Sequence, residues 1–471
     1  MVAEKKTVSF TEGKTFGKII RFILPIVITN LLQTFYNAAD MMVVSLSHEA
    51  NSVGAIGTTG AFINLIINIF IGFSIGANVV VARGIGENNR EKTQKAVHTS
   101  LIVGLITGIL GCIIGLLVSR PVLAFMGNTG NLLDLAVTYT QIYFIGVPFL
   151  ALTNYLIAIF RAKGDSKTPL VVLSLAGLLN VVLNFVFVLF VGMSVEGVAL
   201  STSVSNALSF LILLFKLRKD QDFTTFSFRR LKIAKKALRE IIRVGIPAAL
   251  QGAVFAISNM LIQSSIVAVN NRLCPVDNGY QPVVNGSAAA SNLLGFTYTA
   301  MNAVYQGAIT FTSQNMGANK PERVKPIMYN CFLIVTVIGL GMGCLVYFLR
   351  QPLLSLYGVR AGEDGSMEAL AMYAASTRLF YESIPYFLCG VMEVCTGVLR
   401  GLGRSMLSMF ISLIGACFLR VVWIWTVFPL FYTIEAISIS YPVTWIVTTL
   451  VAFVFIQVIL YRIKKYGEYG E

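Results

Sequence analysis

Long apolar runs separated by short polar segments make up most of this sequence. A helix needs about 20 predominantly apolar residues to cross a bilayer, and the pattern contains twelve runs of that length. The predicted spans lie near residues 20–45, 54–81, 96–118, 133–157, 169–191, 195–215, 241–269, 288–315, 327–349, 369–397, 406–430 and 436–460. The pattern therefore predicts an all-α integral membrane protein with twelve transmembrane helices.

Charged residues are few and are unevenly distributed between the two sides of the predicted membrane. Only 12% of the residues are charged, against about 25% in soluble domains. Of the 36 Lys and Arg residues, 30 fall on one side, four in the opposite loops and two within spans. Because Lys and Arg are enriched in cytoplasmic loops, we expect this side and both termini to face the cytoplasm, across a cell inner membrane. The net charge of +14 then reflects topology and contact with anionic lipid, and no nucleic-acid partner is expected.

The two halves of the chain resemble each other. "FRAKGDSK" (160–167) corresponds to "LRGLGRS" (399–405), and "EGVALS" (196–201) to "EAISIS" (435–440), both at an offset of 239 residues. Six spans is an even number, so both halves enter the membrane in the same direction, as in transporters with a substrate site between the halves. The predicted organisation is a tail (1–19), an N-lobe (20–215), a basic connector (216–240), a C-lobe (241–460) and a second tail (461–471).

The sequence lacks the residue groups that an enzyme or an ATP-driven pump needs. Its two histidines, His48 and His98, lie at span ends, and its seven cysteines form no plausible disulfide pair or metal site. The glycine-rich turns "GIGEN" and "NMGAN" are not followed by the Gly-Lys-Ser/Thr of a phosphate-binding loop. We therefore expect a monomeric transporter driven by an ion gradient, with no cofactor and no metal except a coupling Na⁺.

The first span contains a carboxylate, Asp40, in an otherwise uncharged stretch. An ionised Asp near the bilayer centre costs about 2.5–3.5 kcal/mol on insertion scales, so it needs a partner or a proton. At about 100° per residue, Gln33 and Asn37 fall on the same helix face as Asp40. The predicted ion-coupling residues are Asp40, Asn37, Asn180, Asn184 and Thr202, whose oxygen atoms suit a proton or a hard cation. The alternative is a satisfied carboxylate that only holds helices together.

Motifs spread over the whole chain include "PIVITNLLQTFYNAADMMVV", "FRAKGDSKTPLVV" and "CGVMEVCTGVLRGLGRSM". In this order they resemble the multidrug and toxic compound extrusion (MATE) family of secondary transporters. The resemblance implies two pseudo-symmetric six-helix lobes that form a V-shaped central cavity. It also implies export driven by inward flow of Na⁺ or H⁺.

The resemblance further implies roles for individual residues. In one branch of the family, an Asp in the first helix, an Asn-x-x-x-Asp pair in the fifth and a Thr in the sixth form the N-lobe coupling site. Asp40, Asn180 and Thr202 match this pattern, whereas Asn184 stands where many relatives carry Asp. The missing carboxylate favours a single protonation at Asp40, because a neutral Asp is the low-cost form in lipid, and it leaves Na⁺ or H⁺ open.

Two acidic residues, Glu382 and Glu393, lie on one face of the tenth span with Tyr386 between them. Glu382 is one turn from Arg378 and at a similar depth to Arg420, so it is predicted to be structural. Glu393 has no basic residue at its depth and is predicted to exchange a proton or to attract a cationic substrate. The predicted structural arginines are Arg378, Arg420, Arg161 and Arg400.

Amides and aromatic side chains occupy the remaining polar positions of the spans. Each of them alone is typical of an interhelical hydrogen bond, but together they predict a wide amphipathic cavity. The predicted lining residues are Glu393, Glu382, Tyr386, Gln33, Asn64, Asn68, Gln251, Asn259, Gln263, Tyr298, Asn302 and Gln306. The sequence therefore predicts an antiporter, coupled to H⁺ or Na⁺, that exports amphipathic cationic organic compounds by alternating access. The alternatives are a flippase for lipid-linked saccharides and a non-transporting membrane sensor.

Overall fold

A computed structural model describes most of the chain. The described residues are 10–44, 46–47, 52–126, 128, 130–220, 222–274, 281–363 and 365–467. The first nine residues of the predicted tail, His48, residues 275–280 and the last four residues lie outside the described residues. Within these ranges the regular structure is helical and no strand occurs. The all-α prediction is therefore confirmed.

Twelve long helices account for the twelve predicted spans. They are α1 (Thr15–Val44), α2 (Ser52–Gly86), α3 (Arg90–Phe125), α4 (Gly130–Ala162), α5 (Lys167–Phe190), α6 (Val195–Lys219), α7 (Lys235–Leu273), α8 (Pro282–Gly317), α9 (Pro321–Phe348), α10 (Met367–Gly401), α11 (Ser405–Phe431) and α12 (Ile434–Tyr466). In the described part of the chain, ten of them are long and apolar enough to cross a membrane. The other two, α7 and α8, are 39 and 36 residues long but carry more polar side chains.

Several of these helices depart locally from regular α geometry. The end of α5, Val186–Phe190, and the middle of α11, Leu413–Phe418, are π-helical. Pro385 interrupts α10, where Ile384–Tyr386 forms a 3₁₀ turn. Helices α5 and α11 are each the fifth helix of their half, and short π segments often occur at functional sites. Both helices carry residues of the polar clusters described below.

The internal repeat is visible in the backbone. Gly164 and Gly403, which are 239 residues apart in sequence, have φ angles of +88° and +84°. Asn88 and Asn319 occupy the corresponding turns after α2 and α8, with φ angles of +53° and +58°. Glycine and asparagine are the residues that adopt this left-handed conformation most readily. The matched turns confirm that the two halves repeat one helix-turn pattern.

By spatial contact the chain divides into two units. The first consists mainly of Arg21–Gly252 with Ser313–Lys320, and the second mainly of Ala253–Thr312 and the chain from Pro321 onward. The first part of α7 therefore groups with the N-terminal helices. Its close packing has a local cause, because Gly72 and Gly76 of α2 leave no room for a Cβ against the backbone of α7. The predicted lobe ranges stay a prediction.

Candidate transport site

In the first unit, Asp40 lies near the end of α1 and is partly exposed. Asn184 of α5 donates a hydrogen bond from Nδ2 to Asp40 Oδ1 over 2.5 Å. The amide of Asn180, one turn earlier on α5, lies between Asp40 and Thr202 of α6. In the orientation that satisfies both neighbours, its nitrogen donates to Asp40 Oδ1 over 2.8 Å and its oxygen accepts from Thr202 Oγ1 over 3.3 Å. The structure therefore brings together four of the five predicted ion-coupling residues.

Local helix geometry explains this arrangement. Asn180 and Asn184 are four residues apart, so they share one face of α5, and both are buried, with 6% and 0% of their surfaces exposed. Thr202 Oγ1 also lies 3.0 Å from the Val198 carbonyl oxygen, so its single hydroxyl hydrogen can be donated either to this carbonyl or to Asn180. The short polar side chains of α5 and α6 thus converge on the carboxylate of α1.

Only neutral groups surround the Asp40 carboxylate in the described structure. No Lys, Arg or His nitrogen lies within 4 Å of it in the described ranges. The phenols of Tyr139 and Tyr143, on α4, are close enough to interact with it electrostatically. Among the residues that the structure describes, none forms a hydrogen bond with the buried Oδ1 of Asn184. Such a set of carboxylate, amide and hydroxyl oxygens can hold a proton or a hard cation such as Na⁺.

Two residues predicted to share the face of Asp40 lie apart from this cluster. Gln33 and Asn37 are both exposed, and within the described structure neither donates a side-chain hydrogen bond to Asp40. The partners of Asp40 come instead from α5. The coupling role of Asn37 stays a prediction.

In the second unit, Glu382 is 2% exposed and forms an ion pair within α10. Arg378 Nε donates to Glu382 Oε1 over 2.8 Å. The same guanidinium donates to the hydroxyl and the carbonyl oxygen of Ser287 on α8, over 2.7 Å and 3.2 Å. These bonds join α8 to α10. The predicted proximity of Arg378 and Glu382 is observed.

Arg420, the other predicted partner of Glu382, is close enough to Glu382 to interact with it electrostatically, while its hydrogen bond goes to α12. Its Nη2 donates to Thr444 Oγ1 of α12 over 3.1 Å, and its guanidinium lies 4.1 Å from the ring centroid of Tyr441. No ion pair within 4 Å joins Arg420 to Glu382 in the described residues.

Glu393 has a different environment from Glu382. It is half-buried and has no ion pair in the described ranges. Tyr298 of α8 lies close enough to interact with it electrostatically and is 38% exposed. Tyr386, predicted to lie between the two acidic residues, packs its ring 5.3 Å from that of Trp445. Glu393 and Tyr298 together form an accessible polar pair.

The predicted cavity-lining residues separate into two classes by exposure. Gln33, Asn64, Asn68, Asn259, Gln263 and Tyr298 are exposed, and Asn302 and Tyr386 are half-buried. Gln251, Gln306 and Glu382 are buried, with 6%, 9% and 2% exposure. Exposed amides within long apolar helices need water or a polar partner. The first class therefore suits a water-filled cavity, whereas the buried residues connect helices.

The two arginines in the paired turns also differ. Arg400 is 4% exposed and donates to the hydroxyl of Tyr305, over whose ring it lies. Arg161 is only half-buried. Next to it, the buried Lys163 forms ion pairs with Asp220 and Asp222, the latter over 3.3 Å. This cluster was not anticipated, because its members lie in loops about 57 residues apart where no periodicity relates them.

The family model MatE matches residues 25–186 and 280–426 of this chain. The chain belongs to the MatE family. This membership confirms the prediction of a membrane transporter rather than an enzyme. The two matched regions include Asp40, Asn180 and Asn184 in the first half and Glu382 and Glu393 of α10 in the second.

Curated proteins of similar length align with nearly the whole chain. "Probable multidrug resistance protein YpnP" of Bacillus subtilis is 25% identical, with 88% of this chain and 89% of that protein aligned. "Multidrug export protein MepA" of Staphylococcus aureus is 21% identical, with 83% and 84% aligned.

Solved structures show the MatE fold. A multidrug resistance MATE family transporter of the MOP superfamily, solved in an outward-facing conformation, is 21% identical with a TM-score of 0.86, and the alignment covers 98% of this chain and 99% of that one. A MOP superfamily transporter from Pyrococcus furiosus is also 21% identical, with a TM-score of 0.88 and the same coverage. These structures support the twelve-helix fold of this MatE chain.

Proposed function

We propose that this protein exports amphipathic, cationic organic compounds by alternating access, in exchange for H⁺ or Na⁺. The observation that carries the proposal is the Asp40 cluster, a carboxylate within α1 whose partners are neutral amides. In the described structure no Lys, Arg or His nitrogen within ion-pair distance fixes the charge of Asp40, so binding of a proton or a cation changes the charge of the site. The names of the relatives YpnP and MepA support multidrug export.

The composition of the cluster favours the proton over Na⁺. It contains one carboxylate, because Asn184 provides an amide at the second acidic position of the family pattern. A protonated Asp40 would donate to an amide oxygen. The Asn184 Oδ1 atom has no partner within the described ranges and can accept after rotation of the amide. Na⁺ remains the second candidate, with Asp40, Asn180, Asn184 and Thr202 as its oxygen ligands.

The proposed substrate class follows from the exposed polar positions. Glu393 supplies a negative charge that no cation neutralises within 4 Å in the described structure, next to the exposed Tyr298. The exposed amides supply hydrogen bonds without fixed charge. A flippase for lipid-linked saccharides needs basic residues for the pyrophosphate, and the two arginines within the spans, Arg378 and Arg420, are buried and hydrogen-bonded.

Transport in proteoliposomes tests this function directly. The purified protein is reconstituted, and the movement of a fluorescent organic cation is followed under a pH gradient and, separately, under a Na⁺ gradient. We expect accumulation under the pH gradient alone, abolished by a protonophore. No movement under either gradient, with the protein correctly inserted, would favour the sensor over the exporter.

We also propose that both termini face the cytoplasm, which sets the direction of transport. The proposal rests on the 30 Lys and Arg residues of that side. A cysteine replacing Thr225 or Lys320 should be protected from an impermeant thiol reagent in intact cells, and one replacing Ala361 should react. Labelling at residue 225 from outside would reverse the assignment.

A further inference from the structure

A basic cavity of about 860 Å³ lies at the end of the first unit that carries the connector. Residues of α2, α3, the connector and the start of α7 line it. Seven lining residues are basic, namely Lys92, Lys95, Arg229, Arg230, Lys232, Lys235 and Lys236, against the two acidic residues Glu91 and Glu240. The transport mechanism proposed above uses none of these residues. The cavity lies where α2 and α3 leave their apolar stretches, at the membrane boundary.

One wall of the cavity is a segment of the connector, Thr225–Ala234, which we call the strap. Buried His98 of α3 holds its first part. The Nδ1 atom of His98 donates to the Gln94 carbonyl over 2.6 Å, so its Nε2 accepts from Ser227 N over 3.1 Å. Phe226, 3% exposed, stacks on the imidazole with ring centroids 5.3 Å apart. These contacts give the strap a defined position on α3.

The other end of the strap is also attached to α3. The backbone N–H of Ala234 donates to Thr99 Oγ1 over 3.0 Å, and Arg230 donates to Gln94 Oε1 over 3.3 Å. The cavity is therefore built by specific contacts on both sides of its basic residues. A mobile polybasic loop would have no such anchors.

Most of the positive charge in the cavity has no acidic partner. Lys92 and Lys95 form ion pairs with Glu87 and Glu91, each over 2.6 Å. In the described part of the chain, no carboxylate lies within 4 Å of Arg229, Lys232, Lys235 or Lys236, and these four side chains are exposed. Clustered like charges repel each other, so the arrangement favours a bound anion.

Apolar side chains next to these basic residues indicate which kind of molecule the anionic group belongs to. Phe228, Leu231 and Ile233 alternate with the basic residues of the strap and are 55%, 37% and 45% exposed. A soluble phosphate compound has no apolar part that could contact these side chains, whereas a lipid has acyl chains that can. We propose that the cavity binds the phosphate-bearing headgroup of an anionic phospholipid from the adjacent leaflet, with the strap's apolar side chains against its acyl chains.

Native mass spectrometry of the full chain tests this proposal. The purified protein is titrated with phosphatidylglycerol or with phosphatidylcholine of the same acyl chains. We expect one tightly bound phosphatidylglycerol, a higher apparent Tm in its presence, and at least tenfold weaker binding of phosphatidylcholine. Inorganic phosphate or glycerol 3-phosphate at millimolar concentration should not raise the Tm. An equal rise with either soluble anion would overturn the assignment to lipid.

Two sets of variants distinguish lipid binding in this cavity from general attraction of an anionic lipid to basic residues. The triple variant K232Q/K235Q/K236Q should lose at least tenfold in phosphatidylglycerol affinity, while R462Q/K464Q/K465Q, which removes three charges at the end of α12, should not. F226A should weaken binding severalfold without any change of charge, because it releases the strap from His98. The proposal is wrong if both triple variants lose affinity equally, or if F226A binds phosphatidylglycerol as the unmodified protein does. Binding is compared only between monodisperse preparations with equal helix content.

Discussion

Asp40 and Glu382 are carboxylates within the long helices of the two units, and the structure surrounds them with opposite kinds of partner. Glu382 is 2% exposed and receives a hydrogen bond from the Arg378 guanidinium over 2.8 Å. Asp40 is partly exposed and receives hydrogen bonds from the amides of Asn184 and Asn180. A neighbouring cation fixes the charge of the first carboxylate, whereas neutral partners allow the charge of the second to change.

The two carboxylates therefore differ in role, because Glu382 stabilises the fold whereas Asp40 can change its charge. A buried ion pair restores at most part of the desolvation cost of its two charges, but breaking it leaves one charge uncompensated. Arg378 also binds Ser287 of α8, so the pair joins two helices. The Asp40 cluster joins α1, α5 and α6 through hydrogen bonds that survive, with rearranged donors, when the carboxylate is protonated.

The largest effect on stability is expected from R378Q. It leaves Glu382 without its cation and removes the bonds to Ser287, which should destabilise the protein by about 3–5 kcal/mol, the usual cost of breaking a buried pair. R378K, which keeps the charge, should cost less. D40N should cost only about 1 kcal/mol, since it replaces one hydrogen-bonding arrangement by another. Thermal unfolding in detergent measures all three, and equal Tm values for R378Q and D40N would remove the distinction between the two carboxylates.

A functional shift of intermediate size is expected from N184A. Asn184 donates to the ionised carboxylate, and a hydrogen bond to a charged group contributes about 1.5–3 kcal/mol. Its loss favours the protonated form, so the midpoint of the pH profile of export should move upward by about 1–2 pH units. N37A is the matched control, because Asn37 is an exposed amide on the same helix as Asp40. A shift with N37A and none with N184A would show that α5 does not govern the charge of Asp40.

A smaller and substrate-dependent effect is expected from E393Q. If the carboxylate attracts cations across a cavity of low dielectric constant, export of a cationic substrate should fall on the order of fivefold while a neutral analogue is little affected. E382Q is the control, since Glu382 is buried and paired and should affect stability rather than selectivity. Parallel efflux assays with the two substrates distinguish these outcomes, and equal loss for both substrates would assign Glu393 to folding or coupling.

Sequence periodicity predicted the fold well because the bilayer restricts the possible structures. All twelve spans correspond to helices, and the paired left-handed turns at Gly164 and Gly403 were marked by a constant offset. In α7 and α8 the polar residues lower the hydropathy, yet the apolar stretches between them still marked the helices. The V-shaped cavity implied by the resemblance stays a prediction.

The contacts between side chains of different helices were less predictable than the positions of the helices along the chain. The i, i+4 spacing of Asn180 and Asn184 predicted one face of α5, and the structure places that face against Asp40. The same periodicity grouped Gln33 and Asn37 with Asp40, but it does not show which groups lie opposite each turn of α1, and both amides are exposed. Depth counting placed Arg420 near Glu382, and the two interact electrostatically, but it did not show that the hydrogen bond of Arg420 goes to Thr444.

Reconstituted D40N provides the most direct test that a change of charge at Asp40 couples the ion gradient to export. Two activities are measured on the same proteoliposomes, namely substrate exchange at equal concentrations without a gradient, and uphill export under a pH or Na⁺ gradient. Asn resembles protonated Asp in shape, so we expect exchange within about twofold of the unmodified protein and gradient-driven export reduced at least tenfold, because one charge state can no longer be reached. Well-folded D40N that exports uphill at the unmodified rate would contradict the account and make Asp40 a hydrogen-bonding residue of the helix bundle.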